Sequence, residues 1–311
     1  MAAPHLFLLA ILALVMPTKV FGTRFINYKQ IFGREVSYKQ NLGESVVYDA
    51  LRAKPSSSNS LICVAVPWGG VIEHFRAKHS TVKLKVSTPV SETVLTVCMH
   101  ELYEWVIPVL EAVGVTHLFV PDVREGLSKK IKILPNLYHI VNAAYPAEEK
   151  DILYSFIGYS THPLRKKIIS MPKHKDTLIK GRMSWHYLVP DNKKRYEEWH
   201  EYRSVLSRSR FSLCPRGNSP NSLRLTESLL AGAIPIVIAD DLRLPPGVDW
   251  DSYVIRIREK DVDKIDQIIR SISPEHEERM RAACIELGRV FKEDPAYFIR
   301  YYFDHVWEDI Q

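Results

Sequence analysis

The chain has 311 residues, 46% hydrophobic and 25% charged, enough for two domains with cores of their own and unlike a disordered or low-complexity chain. Its 42 Lys and Arg exceed 36 Asp and Glu by a formal +6, an excess that can steer anionic molecules, but the basic residues are scattered rather than striped and no nucleic-acid partner is expected. Four cysteines without a CxxC pair or metal-type spacing exclude a disulfide framework and read as buried free thiols.

Leu6 to Val15 is an apolar run ended by Pro17 and followed by Val20, Phe21 and Gly22. It is short for a membrane span and has the shape of a signal-peptide core, so residues 1–22 are expected to act as a signal peptide or, uncleaved, as a short signal anchor. Thr23 to Ser60 reads as irregular and ends in a polar loop from Pro55.

Strands are predicted at Leu61–Val66, Thr93–Cys98, His117–Val120 and Ile131–Leu134, with helices at Val71–Lys78 and Glu101–Val113 between them. This alternation predicts a parallel sheet with both faces covered. His100 and Glu101 follow the second strand directly, at the end of an open sheet where ligands collect. They are the first candidates for a general base, ahead of Glu73, His74 and Asp122, although a histidine at a strand end also has ordinary structural uses.

Around Ala144 to Lys150 the pattern lapses, which places a domain boundary near residue 148. A strand over Ile152–Ile157 then ends at Gly158, before Ser160, Thr161, His162, Pro163, Leu164 and Arg165, a loop and helix start able to hold an anion. Thr177–Ile179 reads as a short strand, and Asp191 caps a long charged helix to about Ser207 whose mixed Lys, Arg and Glu suggest a solvated face.

The stretch Phe211 to Asp241 carries the densest signal. A short strand is broken by Pro215 and Gly217. A helix follows, capped by Ser219 before Pro220, or by Asn221 or Ser222, and Ile234–Ile238 forms a buried strand after Gly232. Amides at the start of that helix, the close approach allowed by Gly217 and the forked donors of Arg216 and Arg224 suit a diphosphate. Glu227, three residues past Arg224, could accept from ribose hydroxyls. Such an Arg and Glu can also simply pair on a solvated face, but the glycine, the cap and the second arginine favour a ligand.

Cys214, Pro215, Arg216, Gly217, Ser222, Arg224, Leu225, Glu227, the run Ala231 to Pro235, and Leu244 with Pro245 resemble the signature of exostosin-like glycosyltransferases, family forty-seven. The resemblance implies an α/β fold of GT-B type, with two Rossmann-like domains whose parallel sheets face a central cleft. The expected division is an acceptor-side domain over 23–148 and a nucleotide-sugar-binding domain over 149–311, whose terminal helix packs back across the junction. It implies inverting, metal-independent transfer from a nucleotide sugar, usually a UDP-sugar, to a glycan acceptor, without a cofactor. Gly158 and Arg165 join the donor-binding residues on the same ground. Two Asp-x-Asp strings, Asp249 with Asp251 and Asp261 with Asp263, are read as chance rather than metal sites. The expected setting is the secretory pathway, Golgi or ER lumen, with membrane association through the N-terminal segment and homo- or hetero-oligomers left open. A non-catalytic nucleotide-sugar or glycan-binding subunit is the competing reading.

The last predicted elements are a strand at Tyr253–Ile257, helices at Val262–Ile272 and from Ser273 to about Phe291, and an aromatic-rich helix over Pro295–Trp307.

Overall fold

The computed structural model describes residues 9–10, 24–27, 42–54, 61–78, 83–84, 93–140, 145–184 and 190–307. The signal-peptide reading of residues 1–22 falls outside these except for Leu9–Ala10, which pairs in parallel with Lys83–Leu84. Among the described residues no helix is long and apolar enough to cross a membrane. The chain divides into two units: Met1–Val141 with Arg243–Gly247 and Asp294–Gln311, and Asn142–Leu242 with Val248–Glu293.

The first unit holds a parallel sheet in chain order, β1 (Arg24–Asn27), β2 (Leu61–Ala65), β3 (Thr93–Val97), β4 (His117–Val120) and β5 (Lys132–Pro135). Successive strand residues point to opposite faces. Ile62, Val64, Val94, Leu118 and Val120 pack with Val71 and Ile72 of α2 (Trp68–Lys78) and Val109, Leu110 and Val113 of α3 (Ile107–Val113). Leu61, Cys63, Leu95, Val97 and Phe119 pack instead with Val47, Tyr48 and Leu51 of α1 (Leu42–Ala53) and with Ile299, Tyr302 and Phe303 near the C-terminus. Burial of both faces explains why these strands read as continuous apolar runs.

α1 and β1 correct the expectation of an irregular 23–60 segment. The helix buries Val47, Tyr48 and Leu51, one face at helical spacing, a short pattern set close to the Pro55 to Ser60 loop. Before α3, Tyr103–Val106 forms a 3-10 turn, because Pro108 lacks the N–H that a longer helix would need. The C-terminal segment is a short helix over Tyr297–Tyr301 that widens into a π-turn over Tyr302–Val306.

The second unit holds β6 (Ile152–Tyr159), β7 (Thr177–Arg182), β8 (Ser209–Pro215), β9 (Ile234–Ile238) and β10 (Ile255–Arg256), all parallel, in the spatial order β10-β9-β8-β6-β7. The path from β6 runs outward to β7, then returns past β6 to β8. The strand order therefore reverses between β6 and β8, and the crevice beyond the C-terminal ends of those two strands is the topological switch point at which open sheets bind ligands. α4 (Pro163–Ile169) leaves from β6, and α6 (Leu223–Leu230) leaves from β8. α5 (Asn192–Arg208), capped by Asp191 as expected, buries Tyr202, Val205 and Leu206. α6 stops at Gly232, whose φ of 63° closes a left-handed cap in which the Ala233 N–H reaches the Ser228 carbonyl at 2.9 Å. α7 (Ile265–Arg270) is shorter than predicted and follows a 3-10 turn, and α8 (Pro274–Glu293) lies against α6 so closely that Gly288 meets the Leu229 carbonyl.

Candidate active site

Of the three cap candidates for α6, Ser222 is the one used: its backbone is extended and its hydroxyl accepts from the Arg224 N–H at 3.4 Å. Ser219, Pro220 and Asn221 therefore remain in the loop. That loop is held at both ends, because the Arg216 N–H continues the β8–β9 ladder to the Ile238 carbonyl at 3.0 Å and the Gly217 N–H turns back to the Ser219 carbonyl at 3.0 Å. Ser219 and Asn221 are buried there.

The structure brings five of the expected donor-binding residues into one place, Gly158, Arg165, Gly217, Ser222 and Arg224, around the exits of β6 and β8. Arg165 is buried, and its guanidinium donates to the carbonyls of Arg216 (2.9 Å), Pro215 (3.2 Å) and Tyr159 (3.4 Å). It clamps α4 onto the mouth of β8. Burial first, and then the neighbouring Arg224 charge, push it down to about 10, which leaves it a cation at neutral pH. Gly217 lies directly over this guanidinium: a Cβ there would sit 3.0 Å from Arg165 Nη2 and 3.1 Å from Thr161 Oγ1.

Arg224 is also buried. It stacks over Phe156 at 4.6 Å and Tyr202 at 5.5 Å, and Nη2 donates to the Ile157 carbonyl one residue before Gly158. A Cβ at Gly158 would meet Phe156 at 2.8 Å and Arg224 at 3.2 Å, so the glycine is needed for the guanidinium to reach the strand end. The other terminal nitrogen, Nη1, is buried and makes no hydrogen bond, and the same holds for Thr161 Oγ1, Ser219 Oγ and Arg216 Nε. Buried donors are ordinarily satisfied. Four orphans on the lips of one crevice, two of them on guanidinium groups, fit an anion with several acceptor oxygens.

Glu227 does not lie against Arg224 in an ion pair. Its Oε2 accepts from Tyr202 of α5 at 2.5 Å, and burial raises it above the usual carboxylate range. Tyr202 was hidden in the sequence inside a helix that looked solvated, yet its position with Val205 and Leu206 on the single apolar stripe of α5 was a usable signal. Arg216 keeps to the rim, its Nη1 paired with Asp241 at 3.0 Å and Glu259 at 3.4 Å.

The candidates in the first unit lie beyond the exits of β2, β3 and β4. His100 Nε2 contacts Glu73 Oε1 at 2.9 Å, and its Nδ1 accepts from the Leu102 N–H at 3.0 Å. Glu101 is exposed, and its carbonyl is held by Arg124 Nη2 at 2.7 Å. Asp122 is buried and bonded by Arg124 Nε and Nη2, both at 3.2 Å. The His74 side chain lies outside the described residues. In the Asp-x-Asp strings, Asp249 accepts from Ser252, Asp261 pairs with Arg258 and Lys264 nearby, and Asp263 pairs with Lys167 of α4. All four cysteines are buried and unpaired, and burial raises the Cys214 thiol to about 11.

The Exostosin GT47 domain matches residues 119–272, from the end of β4 through α7. A "Probable glucuronosyltransferase" of Oryza sativa subsp. japonica is 39% identical over 127 residues, covering 39% of this chain and 28% of the relative. A "Probable beta-1,4-xylosyltransferase" of Arabidopsis thaliana is 42% identical over 76 residues, 24% of this chain and 18% of the relative. The chain thus spans under a third of the length of the curated relatives it matches. Among solved structures, the pneumococcal O-GlcNAc transferase in complex with UDP and GlcNAc aligns at 14% identity with a TM-score of 0.39, over 80% of this chain and 56% of that one. Residues 119–272, just under half of the chain, are thus similar to the exostosin-like glycosyltransferases, family forty-seven, and the chain as a whole carries two parallel sheets in an α/β architecture.

Proposed function

We propose that the protein transfers a sugar from a nucleoside diphosphate sugar, a UDP-sugar by family resemblance, to a glycan acceptor. The observation that carries this reading is the set of buried, unsatisfied donors at the β6–β8 switch point: Arg224 Nη1, Arg216 Nε, Thr161 Oγ1 and Ser219 Oγ. The diphosphate sits against them and the first amides of α6, where the helix dipole adds to the guanidinium charge. Arg165 holds the loop in shape beneath, Gly158 and Gly217 keep the floor open, and Ser222 fixes the first turn of α6. Glu227, held by Tyr202 and also hydrogen-bonded with Tyr145, is assigned to the ribose hydroxyls.

In the transfer step the leaving diphosphate gains charge, and fixed cations that need no reorganisation stabilise it. With three arginines at the site, this neutralisation is assigned to the protein and not to a divalent ion, and the family resemblance adds inversion at the anomeric carbon. The acceptor's proton is taken at the sheet end of the first unit, around His100 and Glu101. The apolar run of residues 6–15 supports action in the secretory pathway, Golgi or ER lumen.

Calorimetry with UDP, UDP-glucuronic acid and UDP-xylose tests the reading on protein lacking residues 1–22. Micromolar binding that weakens in both Arg224→Ala and Glu227→Ala is expected. Folded wild type that binds none of them overturns it.

A further inference from the structure

We infer that Arg203 is the base-selecting residue of the donor site and donates to the 4-carbonyl of uracil, an assignment that rests on the sugar-transfer reading above and adds to it the choice of base. All the residues concerned belong to the second unit. Trp199 and Arg203 lie one turn apart on one face of α5, and Tyr145 stands in the segment before β6. The Arg203 guanidinium lies over both rings, 4.2 Å from the Trp199 centroid and 4.8 Å from that of Tyr145. Both contacts are within the range of a cation–π interaction, and together they fix the plane of the guanidinium.

The edge of that plane is left unspent. Arg203 Nη2 is buried and makes no hydrogen bond. Packing alone does not account for this, because an apolar side chain would fill the place between two rings without burying a donor. A buried N–H without an acceptor costs free energy, and such donors are ordinarily satisfied. A planar donor held by its faces, with a free N–H at its edge, suits a carbonyl oxygen lying in the same plane.

Which carbonyl follows from the order of contacts. Tyr202 joins Arg224 to Glu227: the Arg224 guanidinium lies 5.5 Å from its ring, and its hydroxyl donates to Glu227 at 2.5 Å. Tyr145 hydrogen-bonds with the same carboxylate, and Arg203 stacks on Tyr145. The series Arg224, Glu227, Tyr145, Arg203 therefore leads from the diphosphate past the ribose carboxylate. In a nucleoside diphosphate sugar the base follows the ribose, whereas the sugar hangs from the other end of the diphosphate. Arg203 is thus at the base end. Uracil carries its 4-carbonyl on the edge away from the ribose, and that oxygen accepts. Cytosine has an amino group there, which donates and would leave the buried N–H facing another donor.

The test is calorimetry of the full chain with UDP and CDP, which differ only at that edge of the base, on wild type, Arg203→Met and Arg203→Lys, with thermal unfolding of each. Wild type is expected to bind UDP about tenfold more tightly than CDP. Arg203→Met keeps an unbranched stem against the rings and should lose about tenfold for UDP with CDP within about twofold, so that the preference disappears. Arg203→Lys keeps the charge but not the flat donor edge, and should melt close to wild type while losing most of the preference. Arg224→Ala, at the diphosphate, should lower both nucleotides by the same factor. Equal losses for UDP and CDP in the Arg203 variants would show that Arg203 only packs α5 and overturn the assignment, as would wild type that binds UDP and CDP alike. Wild type that binds neither removes the sugar-transfer reading and this assignment with it.

Discussion

The two sheet ends carry opposite chemistry on similar scaffolds. Beyond β6 and β8 the buried charges are cations, Arg165 and Arg224, and the loop leaves hydrogen-bond donors unspent. Beyond β2, β3 and β4 carboxylates gather instead, and each has a partner: Glu44 the backbone N–H groups, Glu73 His100, and Asp122 and Glu104 the cation Arg124. A parallel sheet end is thus only a place. Whether it receives an anion or a proton depends on which side chains the strand exits hold and on whether their bonds are already made.

Breaking the cationic end gives the largest expected effect. Arg224→Ala removes a guanidinium with a free Nη1, and donor affinity should fall by about 3 kcal/mol, on the order of 100-fold, in calorimetry. Arg224→Lys should recover only part of it, because an ammonium cannot hold the Ile157 carbonyl and a phosphate oxygen in one plane. If Lys restores full affinity, the site is a diffuse positive field and the contrast with the other sheet end loses its meaning.

The next effect is of similar size but belongs to the stability of the first unit. His117 of β4 is buried among Tyr302, Phe303 and Trp307, with the Trp ring centroid 4.5 Å away. Burial, and then Lys132, lower it from 6.5 to about 4. The folded state therefore prefers the uncharged ring, and the unfolded chain binds the extra proton between those values. Stability is fully present above pH 6.5 and is lost as pH falls toward 4, by about 3 kcal/mol. Denaturant unfolding at pH 7, 5.5 and 4 should show this loss in wild type and less of it in His117→Phe, which fills the aromatic pocket without titrating. Parallel curves for the two proteins would refute the assignment.

How much of this was legible varied with the range of the interaction. The β6 and β8 to β9 stretch could be read because its strand, glycine, cap and arginines are local, and Gly158, Arg165, Gly217, Ser222 and Arg224 do converge. The Tyr202–Glu227 bond spans 25 residues and the Glu44–Met99 bond 55, and no local pattern announces either. Glu44 was also masked by its setting, since a glutamate near a helix start usually reads as a solvated dipole partner. Of the three cap candidates the sequence offered, Ser222 is the one used, and Ser219 to Asn221 stay in the loop.

A smaller effect probes the support behind the cationic end. Gly288 of α8 has no room for a methyl group: its Cβ would lie 2.5 Å from the Leu229 carbonyl oxygen, on backbone that cannot rotate away. Gly288→Ala should cost about 2 kcal/mol and lower the melting temperature by about 5 °C. Because the strain enters at the C-terminal turn of α6, donor affinity should change less than stability does. An equal loss of both would mean that the first turn of α6 is not held independently by Ser222 and the β8–β9 ladder.

The smallest expected effect separates the rim of the cationic end from its floor. Arg216 is as positive as Arg224, but its Nη1 already pairs with Asp241 and Glu259, so approach of a diphosphate must compete with two carboxylates. Only its Nε is unsatisfied. Arg216→Ala should therefore weaken UDP binding by about 1 kcal/mol, on the order of fivefold, with a stronger dependence on salt than Arg224→Ala because the rim is more exposed. Calorimetry at low and moderate ionic strength distinguishes the cases. If Arg216→Ala matches the loss in Arg224→Ala, the diphosphate sits at the rim, and the buried orphan donors serve the loop rather than the ligand.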